Sequence, residues 1–148
     1  MRLSGRYIVA RRREELFEKL LDPAVLLQAI PGCEDLVRTG DGAYDARLVV
    51  GFGPIKGAFT GKILLKDVRP PEGYRMELRG EGKPGFLNGV SRVELRPLDG
   101  GSRTEISYES DIQVGGLLAS VGARLIPGAA RTYSDQFFAA LEKALLGG

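Results

Sequence analysis

Few residues in this 148-residue chain have the chemistry of a catalyst. There is no histidine and one cysteine, so the commonest general base and the commonest metal ligand are missing. The usual zinc sites cannot be assembled from what remains. Cys33 sits in Pro31-Gly32-Cys33-Glu34. A reactive thiol needs an electropositive, partly open setting, and Glu34 and Asp35 supply the opposite, so a small half-buried structural residue is expected. Glu105, Glu109 and Asp111 lie at i, i+4 and i+6 of one alternating stretch. That parity puts all three on a strand's polar face, which reads as a solvated surface rather than a catalytic carboxylate pair. The expectation is no catalytic residue and no metal site.

One glycine pattern matches a cofactor fingerprint in form. Gly80-Glu81-Gly82-Lys83-Pro84-Gly85 is G-x-G-x-x-G. A dinucleotide site needs a helix to open at the third glycine, so that its N-terminus meets the pyrophosphate. Here Pro84-Gly85 leads into another alternating stretch, and a hairpin turn is expected. The nucleophile elbow and the phosphate loop are both absent.

What remains is an apolar lining and the elements that must carry it. Alternation of apolar and polar residues marks half-buried strands. It runs through Leu3–Val9, Tyr44–Phe52, Ile55–Leu65, Tyr74–Glu81, Leu87–Arg96 and Thr104–Val114. Gly40-Asp41-Gly42, Gly53-Pro54, Pro70-Pro71-Glu72-Gly73 and Asp99-Gly100-Gly101 punctuate these stretches as turns. One charged and one apolar face is the pattern of an antiparallel sheet with one wet side. Two short helices follow the first strand. Arg12–Leu21 gathers Leu16, Phe17, Leu20 and Leu21 on one side. Asp22-Pro23 is an N-cap followed by proline at the first helical position, opening a helix that Pro31-Gly32 stops. From Leu117 to Leu146, apolar residues recur at spacings of three and four, the stripe of an amphipathic helix. Pro127 inside it predicts a kink or a brief break. The order is strand, two helices, six strands and a long helix, all within one domain covering residues 1–148.

The apolar side of this sheet is interrupted by Gly57, Gly61, Gly80, Gly89 and Ser91. Glycine there allows curvature, and it also leaves room. An interior lined by Phe52, Phe59, Tyr108, Leu118, Tyr133 and Phe137 with glycines opposite need not fill itself. Ligand pockets are apolar cavities with a few polar groups that orient the guest. Tyr44, Tyr74, Tyr108, Tyr133, Ser91 and Ser110 are candidates for those groups. The full set expected to contact a guest is Phe52, Phe59, Met76, Phe86, Tyr108, Leu118, Val121, Leu125, Tyr133 and Phe137.

Composition narrows the partners. With 21 basic and 19 acidic residues the net charge is +2, too balanced for a dedicated nucleic-acid binder. A hydrophobic content of 43% is enough for a core. The first residues lack the apolar run of a signal peptide, and no stretch reaches the roughly 20 apolar residues of a membrane span. A cytoplasmic protein with at most peripheral membrane contact is expected. Ile8, Val49, Leu64 and Val90 interrupt the charged face and define a docking surface if one exists there.

Several stretches together carry a resemblance. Asp22-Pro23 with Ile30-Pro31-Gly32-Cys33-Glu34, the run VGFGPIKGAFTG from Val50 to Gly61, GEGKPGFLNG from Gly80 to Gly89, YESDIQVGGLL from Tyr108 to Leu118 and the closing Asp135-Gln136-Phe137-Phe138 resemble the G subunit of carbon monoxide dehydrogenase and its relatives. The resemblance spans essentially the whole chain. It implies the α+β helix-grip fold of the START and birch-pollen-allergen superfamily (SRPBCC). In that fold a curved seven-stranded antiparallel sheet wraps a long C-terminal helix, with two short helices between strands 1 and 2. It also implies an accessory role beside a carbon monoxide dehydrogenase or a related molybdenum hydroxylase, at the inner face of the membrane. The guest it implies is an isoprenoid quinone or other lipid, with no further cofactor. Many members extend past the long helix with a tail implicated in membrane attachment, whereas this sequence ends at Leu145-Leu146-Gly147-Gly148. Two alternatives stay open: a cyclase or dehydratase of the polyketide kind, and an assembly factor without a ligand. A one-residue register slip would turn Glu77, Glu109 and Asp111 inward and favour the cyclase.

Overall fold

The structure is a computed structural model describing residues 1–52 and 54–146, except the side chains of residues 52, 123 and 146. The elements follow in the order β1 (Arg2–Val9), α1 (Arg13–Leu20), α2 (Pro23–Ala29), β2 (Cys33–Gly40), β3 (Ala43–Phe52), β4 (Ile55–Arg69), β5 (Gly73–Gly82), β6 (Gly85–Leu98), β7 (Arg103–Gly115) and α3 (Leu117–Leu146). The seven strands form one antiparallel sheet in the order β1-β7-β6-β5-β4-β3-β2. From β2 to β7 this is a meander of hairpins. β1 then pairs with β7, and α1 and α2 carry the chain from that edge of the sheet to the other.

Local chemistry explains the joints. Asp22 caps α2, its Oδ1 accepting from the Ala24 amide at 3.0 Å, with Pro23 at the first helical position. The glycine-rich run Gly80–Gly85 is the β5–β6 turn. A Cβ at Gly85 would lie 2.1 Å from the Gly115 carbonyl oxygen, and its φ of +132° is glycine territory. The outer face carries cross-strand ion pairs such as Lys66–Glu77 at 3.0 Å and Arg96–Glu105 at 3.3 Å. The register pairs Glu77 with Val90 and Asp111 with Val90 across its other edge. The expected parity therefore holds, with Glu109 and Asp111 exposed.

α3 continues through Pro127, so of the two expected outcomes, a kink or a brief break, the break does not occur. Pro127 and Gly128 are exposed, so the missing backbone hydrogen bond faces solvent. The apolar contacts on either side hold the helix across it. At the far end the Arg11 guanidinium donates to the Leu145 carbonyl at 2.9 Å, giving a partner to one of the helix's last free acceptors. The Arg11 side chain thus tethers the end of α3.

α3 rests on the sheet at two places. Its first turn packs Leu118 against Ile55 and Phe59 at one end of the strands. Its last turns pack Leu141 and Leu145 against Val9, Leu16, Phe17, Leu95 and Ile106 at the other. Between these contacts the helix and sheet enclose a gap, bridged by side chains such as Tyr108 with Ser134 and Tyr7 with Phe138.

Candidate functional site

The gap between sheet and helix is a cavity of about 440 Å³, within the roughly 300–1,000 Å³ of ordinary small-molecule sites. β3, β4, β5, β6 and β7 form its floor, α3 its roof, and Leu20, Leu21, Leu26 and Ile30 of α1 and α2 its wall. The space has a definite origin. Gly61 and Gly80 face each other across β4 and β5, and both line the cavity. A Cβ at Gly61 would meet nothing closer than 3.6 Å, and one at Gly80 nothing closer than 3.9 Å. These two glycines are open floor. Gly57 and Gly89 are close-packed instead, their Cβ positions lying 2.7 Å from Pro84 and 3.3 Å from Ile112, so curvature and packing account for them.

The lining is apolar apart from a few hydroxyls and the exposed residues Lys62 and Arg79. It contains no aspartate or glutamate among the described residues. Most of the hydroxyls are engaged. Tyr44 donates to the Leu21 carbonyl at 2.7 Å, tying β3 to the end of α1. Ser91 and Ser110 hydrogen-bond each other. Tyr108 donates to Ser134 of α3 at 3.2 Å. Tyr133 donates to the Gly51 carbonyl at 2.6 Å and accepts from the Gly51 amide at 3.0 Å, pinning α3 to the end of β3. Tyr74 is 5% exposed and sits edge-on to Phe17, ring centroids 5.9 Å apart. Burial, with Tyr44 nearby, pushes its hydroxyl well above the usual tyrosine range. Cys33 is half-buried, its thiol pushed up by burial, the setting of an unreactive cysteine.

The residues expected to touch a guest divide. Met76, Tyr108, Tyr133 and Phe137 line the cavity. Phe59, Leu118 and Val121 belong to the packed cluster that closes one end, together with Ile55. Phe86 is 43% exposed. A Cβ at its strand partner Gly115 would fall 2.1 Å from the Phe86 ring, so the ring lies over that glycine and not in the cavity. Leu125 is 37% exposed while Ile126 is buried. Buried positions on α3 step by four, as in Leu118, Gly122 and Ile126, and four residues overshoot a turn by about 40°. The contact line drifts around the helix and leaves Leu125 behind. The Phe52 side chain lies outside the described residues. Leu20, Leu26, Leu78, Leu87, Ser134 and Phe138 line the cavity without having been singled out. Alternation already put Leu78 and Leu87 on the inner face, but the wall from α1 and α2 had no signal beyond their apolar sides.

No helix among the described residues is long and apolar enough to cross a membrane, and no cluster of metal-ligating side chains occurs among them.

Comparison with known proteins agrees with this architecture. No curated protein matches the chain. A conserved protein from Geobacillus kaustophilus is 31% identical, with a TM-score of 0.93 over 99% of this chain and 96% of that one. A START superfamily protein from Mycobacterium smegmatis is 17% identical, with a TM-score of 0.69 over 97% and 95% of the two chains. Ara h 8.0201 is 16% identical, with a TM-score of 0.67 over 100% and 99%. The last two share the fold, the helix-grip arrangement of a curved sheet around a C-terminal helix. The family model for the carbon monoxide dehydrogenase G subunit (CoxG) matches residues 5–146, and the chain belongs to that family.

Proposed function

We propose that this protein is a non-catalytic accessory module that holds an apolar molecule between sheet and helix, in the service of a carbon monoxide dehydrogenase or a related molybdenum hydroxylase. One observation carries the reading: the cavity of about 440 Å³ is apolar, and its floor is opened by Gly61 and Gly80. A space of this kind is filled by hydrophobic burial of a guest. Glu77, Glu109 and Asp111 lie on the outer face, so the cavity offers no carboxylate to a cyclase-type acid or base, which favours the non-catalytic reading. An isoprenoid quinone or similar lipid is the guest favoured by family membership, and the module would act in the cytoplasm, at the inner face of the membrane when it meets its enzyme.

Native mass spectrometry of the protein as purified, followed by organic extraction, tests this directly. A bound mass matching a quinone or lipid is expected. Menaquinone added at about 100 times its dissociation constant should stabilise the fold by about 2.7 kcal/mol, raising the thermal midpoint by roughly 5–10 °C for a chain of this size. A ligand-free mass and an unmoved midpoint with menaquinone and other apolar lipids would sink the reading.

A further inference from the structure

We propose that Tyr74 orients and selects the guest, its hydroxyl donating a hydrogen bond to a neutral carbonyl oxygen on an otherwise apolar molecule. The inference rests on the reading of the cavity as a ligand site and adds to it the chemistry of the headgroup.

Tyr74 lines the cavity and is 5% exposed. The hydroxyls of Tyr44, Tyr108 and Tyr133 all have hydrogen-bond partners within the protein. Ser91 and Ser110 share one hydrogen bond, in which one hydroxyl donates and the other accepts. The Tyr74 hydroxyl alone among the lining tyrosines has no hydrogen-bond partner among the described residues. The ring of Tyr74 is buried, but its oxygen is not among the fully buried unpartnered atoms. The hydroxyl therefore opens onto the cavity it lines, where a guest can reach it.

The position also says what kind of partner fits. Burial holds the proton on the phenol, so the group presents an O–H donor. Tyr44, its close neighbour, already donates to the Leu21 carbonyl. A guest in the cavity can supply the acceptor. That acceptor is uncharged. The charged residues of the lining, Lys62 and Arg79, are exposed. Arg79 is five residues along β5, about 17 Å at the usual rise of a strand. A carboxylate or phosphate brought to Tyr74 would be stripped of water with no cation to compensate. A quinone, ketone or ester carbonyl fits, with the apolar body reaching back over Gly61 and Gly80.

The test uses the full chain, two probes and two variants. Menadione carries the carbonyls, and a methylnaphthalene of similar shape lacks them. Calorimetric titration of the native protein should show menadione binding about tenfold more tightly, equivalent to about 1.4 kcal/mol. In Tyr74→Phe the two probes should bind alike, with the hydrocarbon affinity unchanged. Tyr7→Phe, which removes a hydroxyl bonded to Asp135 away from the cavity lining, should keep the preference. The carbonyl stretching band of bound menadione should be lowered in the native protein and return toward its apolar-solvent position in Tyr74→Phe. Should that variant fail to fold, the native band position decides alone. A retained preference in Tyr74→Phe, equal binding of both probes to the native protein, or an unshifted band overturns the anchor while leaving the cavity intact. Binding of neither probe overturns both.

Discussion

At the scale of single residues, the glycines separate structure from function, and each does so through the space its missing Cβ would occupy. Gly73 is needed for packing, since a Cβ there would sit 2.3 Å from the Val93 carbonyl oxygen. Gly5 is needed because Tyr108 lies over it, its ring 2.7 Å from the Cβ position. Gly61 has no such constraint. Glycine inside a strand weakens it through backbone entropy and lost packing, so an unconstrained one should be replaceable at no loss to the fold. Gly61→Leu is therefore expected to keep or raise the thermal midpoint and to weaken binding of menadione at least tenfold, by filling the floor of the cavity. Gly73→Ala should do the reverse to stability, lowering the midpoint. Calorimetric titration alongside thermal unfolding separates the two. If Gly61→Leu bound the probe as well as the native protein does, the guest would not lie over β4 and β5.

At the scale of elements, strands were legible in the sequence and contacts across the gap were not. Period-two alternation is set by the backbone and is read directly, which is why the six alternating stretches and their polar faces fell where the sequence put them, while the edge strand β2, exposed at most positions, carries no such alternation. The cap at Asp22-Pro23 is equally local. Whether an inward residue meets the cavity or a neighbour depends on the distance between helix and sheet, and no local pattern encodes that distance. Phe59 and Met76 both point inward, yet Phe59 meets Leu118 and Ile55 where α3 touches down, while Met76 faces open space. Leu125 lost its place to Ile126 through drift of the contact line, an effect that spacing rules of three and four cannot resolve. Pro127 shows the same limit: its effect on the backbone is local, but continuity of α3 is decided by packing at both ends. A proline inside a helix is about 3 kcal/mol less favourable than alanine, so Pro127→Ala at this exposed position should stabilise by about 1–3 kcal/mol and raise the midpoint by several degrees. Hydrogen exchange across Leu118–Tyr133 should slow in the same variant. A lowered midpoint would mean that the proline ring makes contacts of its own and that the helix is adapted to it.

At the scale of the whole molecule, the absence of histidine and the burial of tyrosines set the response to pH together. With no imidazole in the chain, nothing of that kind titrates between about pH 5 and 8. Tyr74 and Tyr44 are held above the ordinary tyrosine range, chiefly by burial. Tyr7 is raised as well, by partial burial and by its hydrogen bond to Asp135. In each case the folded state keeps a proton that the unfolded chain releases above about pH 10. The unfolded state then binds fewer protons than the native one, and stability falls as pH rises. Below about pH 10 both states are protonated and the contribution is fully present. The thermal midpoint should thus lose nothing to these groups up to about pH 9 and drop steeply between about pH 10 and 12. Tyr74→Phe should flatten that alkaline drop, because the substitution removes a phenol raised well above its ordinary range by burial while leaving the apolar packing around Phe17 in place. An alkaline limb identical in the native protein and the variant would mean that Tyr74 ionises as easily folded as unfolded. The cavity around Tyr74 would then be wet, and the apolar surroundings that make its hydroxyl an anchor for a carbonyl would not exist.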